Sequence, residues 1–471
     1  MQAIRQMARI NPTTLSSNST QIQGTLSMSY LRSLLTLPPG SDPEIAQHFR
    51  RNFFANGLDM VSWLLGMSFM SISAIMPVYV RHLTSSPLIF GLIPALTDFG
   101  WFAPQLFLAP YVERLPRKYP WVMVLGAIER VPYLVLPIAV VVLDGLPQNS
   151  AVLIFMILWT WKAFGSGFVA TPWQEMLAKV IPVSNRGRFF GLANLTGQLL
   201  GVGGSALAVA ILASVDYPYN FALSFGIGAL WLWVSYGFIT LTREPARPAA
   251  SHSQRINREY GQRLLSILRR DTNFRTYLVS RWLAYFGSMA TGFIAVYAVE
   301  QFHLPDSVAA VYTGILYGAS VVGYGVGGTL GDRLGHRRVM QLAGVTWIAA
   351  LGMMLIVTVT QATGLLYVVF ALLGLSNAGG IVSDFNLAME FGPEAERPTY
   401  VGLARTSTGP ALLIAPLIGG VIAQSIGYPA VFATSLLFAA GGLYLLTRRV
   451  KEPRYLTSAV TTDTDVAITA P

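Results

Sequence analysis

The sequence predicts an all-α membrane protein with twelve transmembrane helices in two pseudo-symmetric six-helix bundles. Of its 471 residues, 53% are apolar and only 11% are charged, whereas average soluble domains carry roughly 25% charged residues. Apolar stretches long enough to cross a bilayer as helices, about 20 residues each, recur along the chain. A polar, Arg-rich segment at 242–275 divides these stretches six and six.

The predicted spans share this length and are separated by mostly short connections. They are 53–80, 88–112, 120–143, 149–173, 189–213, 219–241, 276–300, 309–330, 339–360, 365–389, 400–424 and 429–447. We therefore expect five regions: a cytoplasmic tail at 1–50, a first bundle at 51–241, a cytoplasmic central loop at 242–275, a second bundle at 276–450 and a disordered cytoplasmic tail at 451–471.

Two segments outside the spans have distinct compositions. The Ser/Thr/Gln-rich residues 1–30 lack the apolar core of a signal peptide and are expected to be disordered. Within the central loop, leucines and an isoleucine alternate with basic residues from Tyr260 to Arg270. This pattern indicates an amphipathic helix on the membrane surface.

The distribution of Lys and Arg predicts the orientation. Of the 32 basic residues, 27 lie on one predicted side, four lie within spans and a single one, Arg81, lies on the other side. Because basic residues concentrate in cytoplasmic loops, both termini are expected in the cytoplasm. The same distribution accounts for the net charge of +10 without a nucleic-acid partner.

The two halves of the chain share short sequence patterns. Phe190-Gly191-Leu192-Ala193 with Thr196-Gly197 in the fifth span corresponds to Val401-Gly402-Leu403-Ala404 with Thr408-Gly409 in the eleventh. Two six-helix halves joined by a polar loop are typical of secondary transporters, whose solute site lies at the interface of the repeats.

The loop between spans eight and nine carries the sharpest motif, Gly328-Thr329-Leu330-Gly331-Asp332-Arg333-Leu334-Gly335-His336-Arg337-Arg338. It resembles the loop signature of the major facilitator superfamily. The resemblance implies a conformational latch, in which Asp332 caps a neighbouring helix and pairs with a cytoplasmic arginine. The residues assigned to this latch are Gly328, Asp332, Arg333, Gly335, Arg337 and Arg338. The alternative is an ordinary basic cytoplasmic turn.

The first half contains a divergent counterpart, Glu113-Arg114-Leu115-Pro116-Arg117-Lys118. Glutamate replaces the motif's aspartate and Pro116 replaces its glycine, and we assign Glu113 and Arg114 to the same latch. The resemblance covers about residues 50 to 450. It extends to bacterial members with Glu-Arg in the third span and Arg186-Gly187-Arg188 before the fifth, which implies the bacterial inner membrane.

Span eleven carries Ala415-Pro416-Leu417-Ile418-Gly419-Gly420. This segment resembles the Gly/Pro-rich signature that antiporters of the superfamily carry in span five. The alternative is tight helix packing with a proline kink, since small residues are common where membrane helices meet.

Eight charged residues lie inside the predicted spans, where charges are expensive and mark ion pairs or transport pathways. They are Asp59, Asp98, Glu129, Arg130, Lys162, Arg281, Asp384 and Arg405. Four are acidic and four are basic, so complete pairing is possible. Counting along each span places Asp98, Glu129, Arg130 and Lys162 near the midplane and the others nearer the cytoplasmic third.

The resemblance implies which of these charges line the central cavity, because spans 1, 4, 7 and 10 surround it and span 2 lies beside them. The candidates for cavity or proton-coupling groups are Asp59, Asp98, Lys162, Arg281 and Asp384. Glu129, Arg130 and Arg405 are expected to form an intramembrane charge network. For Asp59, we expect alternation between a state paired with Lys162 or Arg281 and an unpaired, protonated state. A permanent structural ion pair is the alternative.

Several function classes are disfavoured by the residues present. The chain has no cysteine and no Walker sequence, so we expect no thiolate site and no ATP-driven engine. The five histidines all lie outside the spans, and none has the spacing of a metal site. The sequence therefore predicts neither an enzyme nor a bound cofactor or metal.

The predicted function is secondary active transport of a small organic solute by alternating access. We expect proton coupling and a monomer in the lipid bilayer, with efflux slightly favoured over uptake. A nutrient symporter or uniporter is the rival within transport, and a membrane receptor or scaffold that does not transport is the rival from another class.

Overall fold

The computed structural model describes residues 36–38, 40, 42–246, 258–393 and 396–453, which form helices and contain no strand. Their α-helices, in chain order, are α1 Pro43–Ser68, α2 Ile75–Leu83, α3 Pro87–Glu113, α4 Tyr119–Asp144, α5 Gln148–Val180, α6 Val183–Ser214, α7 Tyr219–Ile239, α8 Arg258–Arg270, α9 Thr272–Gly287, α10 Ile294–Phe302, α11 Ser307–Leu334, α12 His336–Thr360, α13 Leu365–Glu390, α14 Arg397–Ser425 and α15 Tyr428–Arg448. The predicted disorder of residues 1–30 and of the tail from 454 lies outside the described residues.

The helices confirm an all-α membrane protein. Eleven segments of the described ranges are long and apolar enough to cross a membrane, and they correspond to predicted spans two to twelve. The first span is formed by α1 and α2 together. Because twelve crossings are an even number, α1 begins and α15 ends on one face of the bundle. We call this the terminal face and the opposite one the far face.

Spans one and seven are interrupted, which the sequence did not predict. The chain leaves helical geometry at 69–74 between α1 and α2, and at 288–293 it passes through a short 3-10 turn between α9 and α10. Hydroxyl groups bond to nearby carbonyls at these breaks: Ser68 Oγ donates to Leu65 O at 2.7 Å, and Thr291 Oγ1 donates to Ser288 O at 2.7 Å. Both breaks are buried, as irregular backbone at membrane depth must be.

The two halves of the chain pack their helices in the same way. In the first half α1 packs on α6 and α7, α3 on α5, and α4 on α5 and α7. In the second half the equivalent helices repeat all five pairings: α9 on α14 and α15, α11 on α13, and α12 on α13 and α15. The halves meet through α3 with α14, α6 with α11, and α2 with α10.

An asparagine on the first span of each half clamps the chain that follows the sixth. Asn52 Nδ2 donates to Arg243 O at 2.9 Å, and Asn52 Oδ1 accepts from Arg243 N at 2.8 Å. Asn273 makes the same reciprocal pair with the backbone of Lys451, at 3.1 and 2.7 Å. The repeat therefore extends to individual polar contacts.

Each clamp is followed by Glu-Pro, at Glu244 and at Glu452. Glu244 Oε2 accepts from the backbone N–H groups of Lys118 and Tyr119, both at 2.6 Å, at the start of α4. Its other oxygen accepts from Lys179 Nζ at 2.9 Å. A carboxylate is favourable at a helix N-terminus, where the backbone N–H groups are unpaired. Glu452 lies at the equivalent place in the second half, beside Gly335 before α12.

The amphipathic segment is helical as predicted, and one of its apolar residues is buried in the protein. Ile267 of α8 is fully buried with Phe274, Tyr277 and Phe391 in the core of the second half. Leu265 remains exposed. Ile267 packs on the bundle because α9, which follows α8 directly, presents an apolar core there, and the placement of α8 on the membrane surface stays a prediction.

Replacing Glu244 tests the anchor at the start of α4. Glu244→Gln keeps the size of the side chain but removes its charge, so we expect a loss of roughly 1.5–3 kcal/mol in the free energy of unfolding, as is typical of a hydrogen bond to a charged group. Thermal unfolding of the purified protein measures it. Glu175→Gln, an exposed site on α5, is the matched control. Equal unfolding midpoints for the two variants would contradict the anchoring role.

Candidate functional site

The intramembrane charges of the first half gather around Arg130 on α4. Its Nε donates to Leu232 O at 2.9 Å, Nη1 to Gly126 O at 3.0 Å, and Nη2 to Ser235 Oγ at 3.1 Å. Glu129 Oε2 lies 3.4 Å from Nη1, and Asp59 Oδ1 lies 3.9 Å from Nη2. One guanidinium therefore holds two carboxylates and two backbone carbonyls.

Aromatic rings and a serine complete this network. The guanidinium carbon of Arg130 lies 5.1 Å from the ring centroid of Trp63 and 5.4 Å from that of Tyr236, which are cation–π distances. Glu129 Oε1 accepts from Ser166 Oγ of α5 at 2.7 Å. The adjacent Glu129 and Arg130 thus connect α1, α5 and α7 through α4.

Asp59 has a different partner from those expected. Lys162 or Arg281 was the predicted partner, but in this structure Asp59 accepts a hydrogen bond from Ser235 Oγ at 2.5 Å and lies beside Arg130. The physical reason is helix packing, since α1 and α4 both pack on α7 and bring these groups to one level. The residue is only 4% exposed.

Lys162 and Asp98 make no direct contact with each other. The ammonium of Lys162 lies 4.8 Å from the ring centroid of Trp159, and its charge interacts with the carboxylates of Glu129 and Asp98. Within the described part of the chain, Asp98 accepts no hydrogen bond and forms no ion pair. It therefore differs from Asp59 and Glu129, the other intramembrane carboxylates of the first half, which both have such partners.

In the second half, Arg281 of α9 pairs with Asp384 of α13 at 2.8 Å between Nη2 and Oδ1. The same Nη2 donates to the Tyr285 hydroxyl at 3.0 Å, and the tyrosine ring lies 4.7 Å from the guanidinium carbon. The Asp384 side chain is 38% exposed. This pair joins spans seven and ten, which the resemblance places around the cavity.

A cavity of about 440 Å³ is lined by Asp98 of the first half and by the Arg281–Asp384 pair of the second. Its first-half wall includes Asp98, and its second-half wall includes Arg281, Tyr285 and Asp384. Met340 at the start of α12 also lines it, so the cavity reaches toward the terminal face. Its volume lies within the range of about 300–1,000 Å³ that is usual for small-molecule sites.

The far face is closed above this cavity by α2 and α10. Arg81 Nη2 and His82 Nε2 each lie 2.7 Å from a carboxylate oxygen of Asp306, which precedes α11 in the other half. The ring of Tyr217 stacks on His82 at 4.3 Å between centroids. Sequence reasoning missed His82 and Asp306, although Arg81 as the single basic residue of the far loops was a usable signal.

A smaller cavity of about 180 Å³ lies within the first half. Trp63, Trp101 and Trp173 line it together with Asp59 and other members of the Arg130 network. The two cavities share no lining residue. The charge network therefore borders a space of its own and not the main cavity.

The motif lies across the end of α11 and the start of α12, and its arginine Arg337 has a clear structural role. Arg337 Nη2 donates to Thr447 O at 2.8 Å and its Nε donates to Leu446 O at 3.2 Å, which caps the C-terminal turn of α15. Gly335 has φ +89°, a conformation that favours glycine, and a side chain there would meet Glu452.

The remaining latch residues do not form the expected contacts. Asp332 is exposed, and within the described ranges it makes no hydrogen bond or ion pair, so it caps no helix in this structure. Arg333 and Arg338 are exposed, and a side chain at Gly328 would meet open space.

The other residues singled out in the sequence are the first-half latch residues, Arg405 and the Gly/Pro-rich segment of span eleven. Glu113 and Arg114 end α3 on the terminal face, and burial together with the nearby charge of Glu175 raises the pKa of Glu113. Arg405 lies on α14 and is partly buried.

The Gly419-Gly420 segment packs closely, since added side chains would meet Phe293 at 3.0 Å and Leu88 at 2.9 Å. Its geometry therefore agrees with the packing alternative.

Comparison with known proteins identifies the family. The family model of the Major Facilitator Superfamily matches residues 58–319 and 277–468, which together cover most of the chain. The chain belongs to the major facilitator superfamily. It is accordingly a secondary transporter and not an enzyme. No sequence among curated proteins matches it.

Solved structures of superfamily transporters share the fold. The xylose transporter XylE from E. coli, in a partially occluded inward-open conformation, has a TM-score of 0.62 at 12% identity, covering 85% of this chain and 98% of that one. The nucleoside transporter NupG has a TM-score of 0.58 at 12% identity, covering 84% and 96%. The E. coli fucose:proton symporter FucP has a TM-score of 0.54 at 16% identity, covering 85% and 98%. At these identities the likeness concerns the fold alone.

Removing Arg130 tests the first-half network. Arg130→Gln leaves Asp59 and Glu129 without their shared cation, and breaking a buried pair in this way costs about 3–5 kcal/mol. We expect a large loss of monodisperse protein and a lower unfolding midpoint, measured by size-exclusion chromatography and thermal unfolding.

A second variant distinguishes charge imbalance from lost packing. Asp59→Asn combined with Arg130→Gln removes one uncompensated carboxylate and should recover part of the stability. Arg50→Gln, an exposed site on α1, is the control. A wild-type midpoint for Arg130→Gln alone would show that the network does not stabilise the fold.

Proposed function

We propose that this transporter couples movement of a small organic solute to protons, with the solute bound in the 440 Å³ cavity between the halves. The observation that carries the proposal is a cavity lined by Asp98, opposite the Arg281–Asp384 pair. Asp98 has no hydrogen-bond or ion-pair partner among the residues that the structure describes. Alternating access would rock the two bundles, 51–241 and 276–450, about this site.

We assign proton coupling to Asp98 in preference to Asp59. A coupling acid must reach water in at least one state, and Asp98 lines the cavity whereas Asp59 is buried against Ser235 and Arg130. A carboxyl group's affinity for protons depends on its solvation and on nearby charges. Closure of the cavity would change the solvation of Asp98, with Lys162 as the nearby cation.

The direction of transport is proposed as efflux. Most of the cavity wall is apolar, with Leu316, Trp347 and Leu373 among its residues, and this favours amphipathic organic solutes. Solved structures with this fold include a fucose:proton symporter and a xylose transporter. This supports proton coupling and also keeps a nutrient symporter as the second candidate. A receptor or scaffold would show neither solute flux nor proton flux.

We further propose a bacterial inner-membrane location with cytoplasmic termini and a monomeric state. The excess of Lys and Arg at the terminal face supports this orientation. The far face, closed by Arg81, His82 and Asp306, would then face the periplasm and the structure would be open inward.

Neutralising Asp98 tests the coupling assignment. A solute is first identified by thermal stabilisation, since a ligand that binds only the native state raises apparent stability. In proteoliposomes, Asp98→Asn should abolish solute movement driven by a pH gradient and retain downhill exchange.

Asp59→Asn is the matched comparison. If Asp98 is the coupling acid, folded Asp59→Asn protein keeps gradient-driven transport with its pH dependence. Loss of coupling in Asp59→Asn and its retention in Asp98→Asn would reverse the assignment. Solute flux without proton flux in the wild type would exclude proton coupling and favour a uniporter.

The proposed latch is tested at Asp332. In this structure Asp332 is free to engage when the terminal face closes, and Asp332→Asn would remove the charge while keeping the shape. We expect transport to fall about tenfold or more with normal membrane insertion, since a charged hydrogen bond contributes roughly 1.5–3 kcal/mol. Asp216→Asn, an exposed residue of a far loop, is the control. If Asp332→Asn protein transports as fast as the wild type, the motif is an ordinary basic turn and not a latch.

A further inference from the structure

A groove of about 450 Å³ lies on the side of α9 that is turned away from the central cavity. The α9 residues that line it recur at helical spacing, while those lining the cavity occupy the opposite side of the same helix. The principal lining residues are Arg275, Val279, Trp282, Leu283, Phe286 and Phe438. Apart from Arg275 at one end, its α9 wall is apolar.

The groove has the length of one lipid tail. From Arg275 to Phe286 the helix rises about 16 Å, at roughly 1.5 Å per residue. One leaflet of a bilayer contributes half of a hydrocarbon core about 30 Å thick. A chain lying in the groove would therefore run from the interface to the bilayer centre.

Unpaired positive charge lies at the interfacial end. Neither Arg269 nor Arg275 has a hydrogen bond or ion pair from its guanidinium within the described ranges, and both are exposed. Arg269 also lines an open depression of about 460 Å³. Leu268, which borders the groove, directly precedes it. The depression and the groove are thus neighbours.

The nearby acids are already engaged. Asp271 accepts from Phe274 N at 2.8 Å and from the Tyr400 hydroxyl at 3.2 Å. Glu396 pairs with Arg270 at 2.5 Å. Neither acid forms an ion pair with Arg269 or Arg275 within the described ranges.

We propose that this groove binds one anionic phospholipid. Its acyl chain lies along Val279, Trp282 and Phe286, and its phosphate lies between Arg269 and Arg275. The apolar groove selects a lipid over free phosphate, and two unneutralised arginines select an anionic headgroup over a zwitterionic one. The site is independent of the transported solute and joins α8 to the transmembrane core of the second half.

Lipid titration tests the site. The full-length protein in detergent is titrated with dioleoylphosphatidylglycerol or dioleoylphosphatidylcholine, and native mass spectrometry counts the bound lipids. We expect a preference for phosphatidylglycerol. Arg269→Gln with Arg275→Gln should weaken its binding roughly fivefold per arginine, as expected for basic residues at an anionic membrane surface. Phosphatidylcholine binding should change little.

Two further variants separate the alternatives. Arg50→Gln with Arg117→Gln removes the same charge from exposed sites of the first half and should leave the preference intact. Val279→Trp fills the groove without changing charge and should weaken phosphatidylglycerol binding, whereas millimolar inorganic phosphate should not displace the lipid. Equal weakening by both double variants would show general surface attraction and overturn the site. If Val279→Trp leaves phosphatidylglycerol binding unchanged, or if phosphate displaces the lipid, the acyl chain does not lie in the groove and the proposal is wrong.

Discussion

Within a bilayer no water is available to hydrogen-bond a buried charge or an open backbone group, so the protein must supply every partner itself. Arg130 shows the consequence most fully, because its donors reach a serine, two backbone carbonyls and a glutamate, and a further carboxylate lies at 3.9 Å. The same requirement shapes the breaks in spans one and seven, where Ser68 and Thr291 bond to nearby carbonyls. Polar residues at membrane depth therefore decide which helices must stay together.

This requirement is met inside each half by repeated anchors. Asn52 and Asn273 clamp the chain after the last span of their own half, and Glu244 fixes the start of α4. Together with five repeated helix pairings, these contacts tie each bundle to itself. Transport models that rock two rigid halves require such ties within each bundle.

The contacts between the halves have a different character. The ion pair of Arg81 with Asp306 and the contact of His82 with the same carboxylate cross from one half to the other at the far face. The Arg281–Asp384 pair and the Arg130 network lie within single halves. Any opening at the far face must break the first set and can preserve the second. These crossing contacts, together with the packing of α3 on α14 and of α6 on α11, contribute to the free-energy difference between conformations. A solute shifts that difference only by binding the two states unequally.

The sequence alone determined the membrane class, the twelve spans, the repeat and the identities of the intramembrane charges. Those features depend on local composition, because hydropathy and the placement of Lys and Arg are read along the chain. Only the tertiary structure decided that Asp59 lies beside Arg130 and not Lys162, that Asp98 borders the main cavity, and that Asp306 closes the far face. Such pairings depend on which helices pack together and on the rotation of each about its axis. Both are set by contacts between residues far apart in sequence, which local composition does not encode.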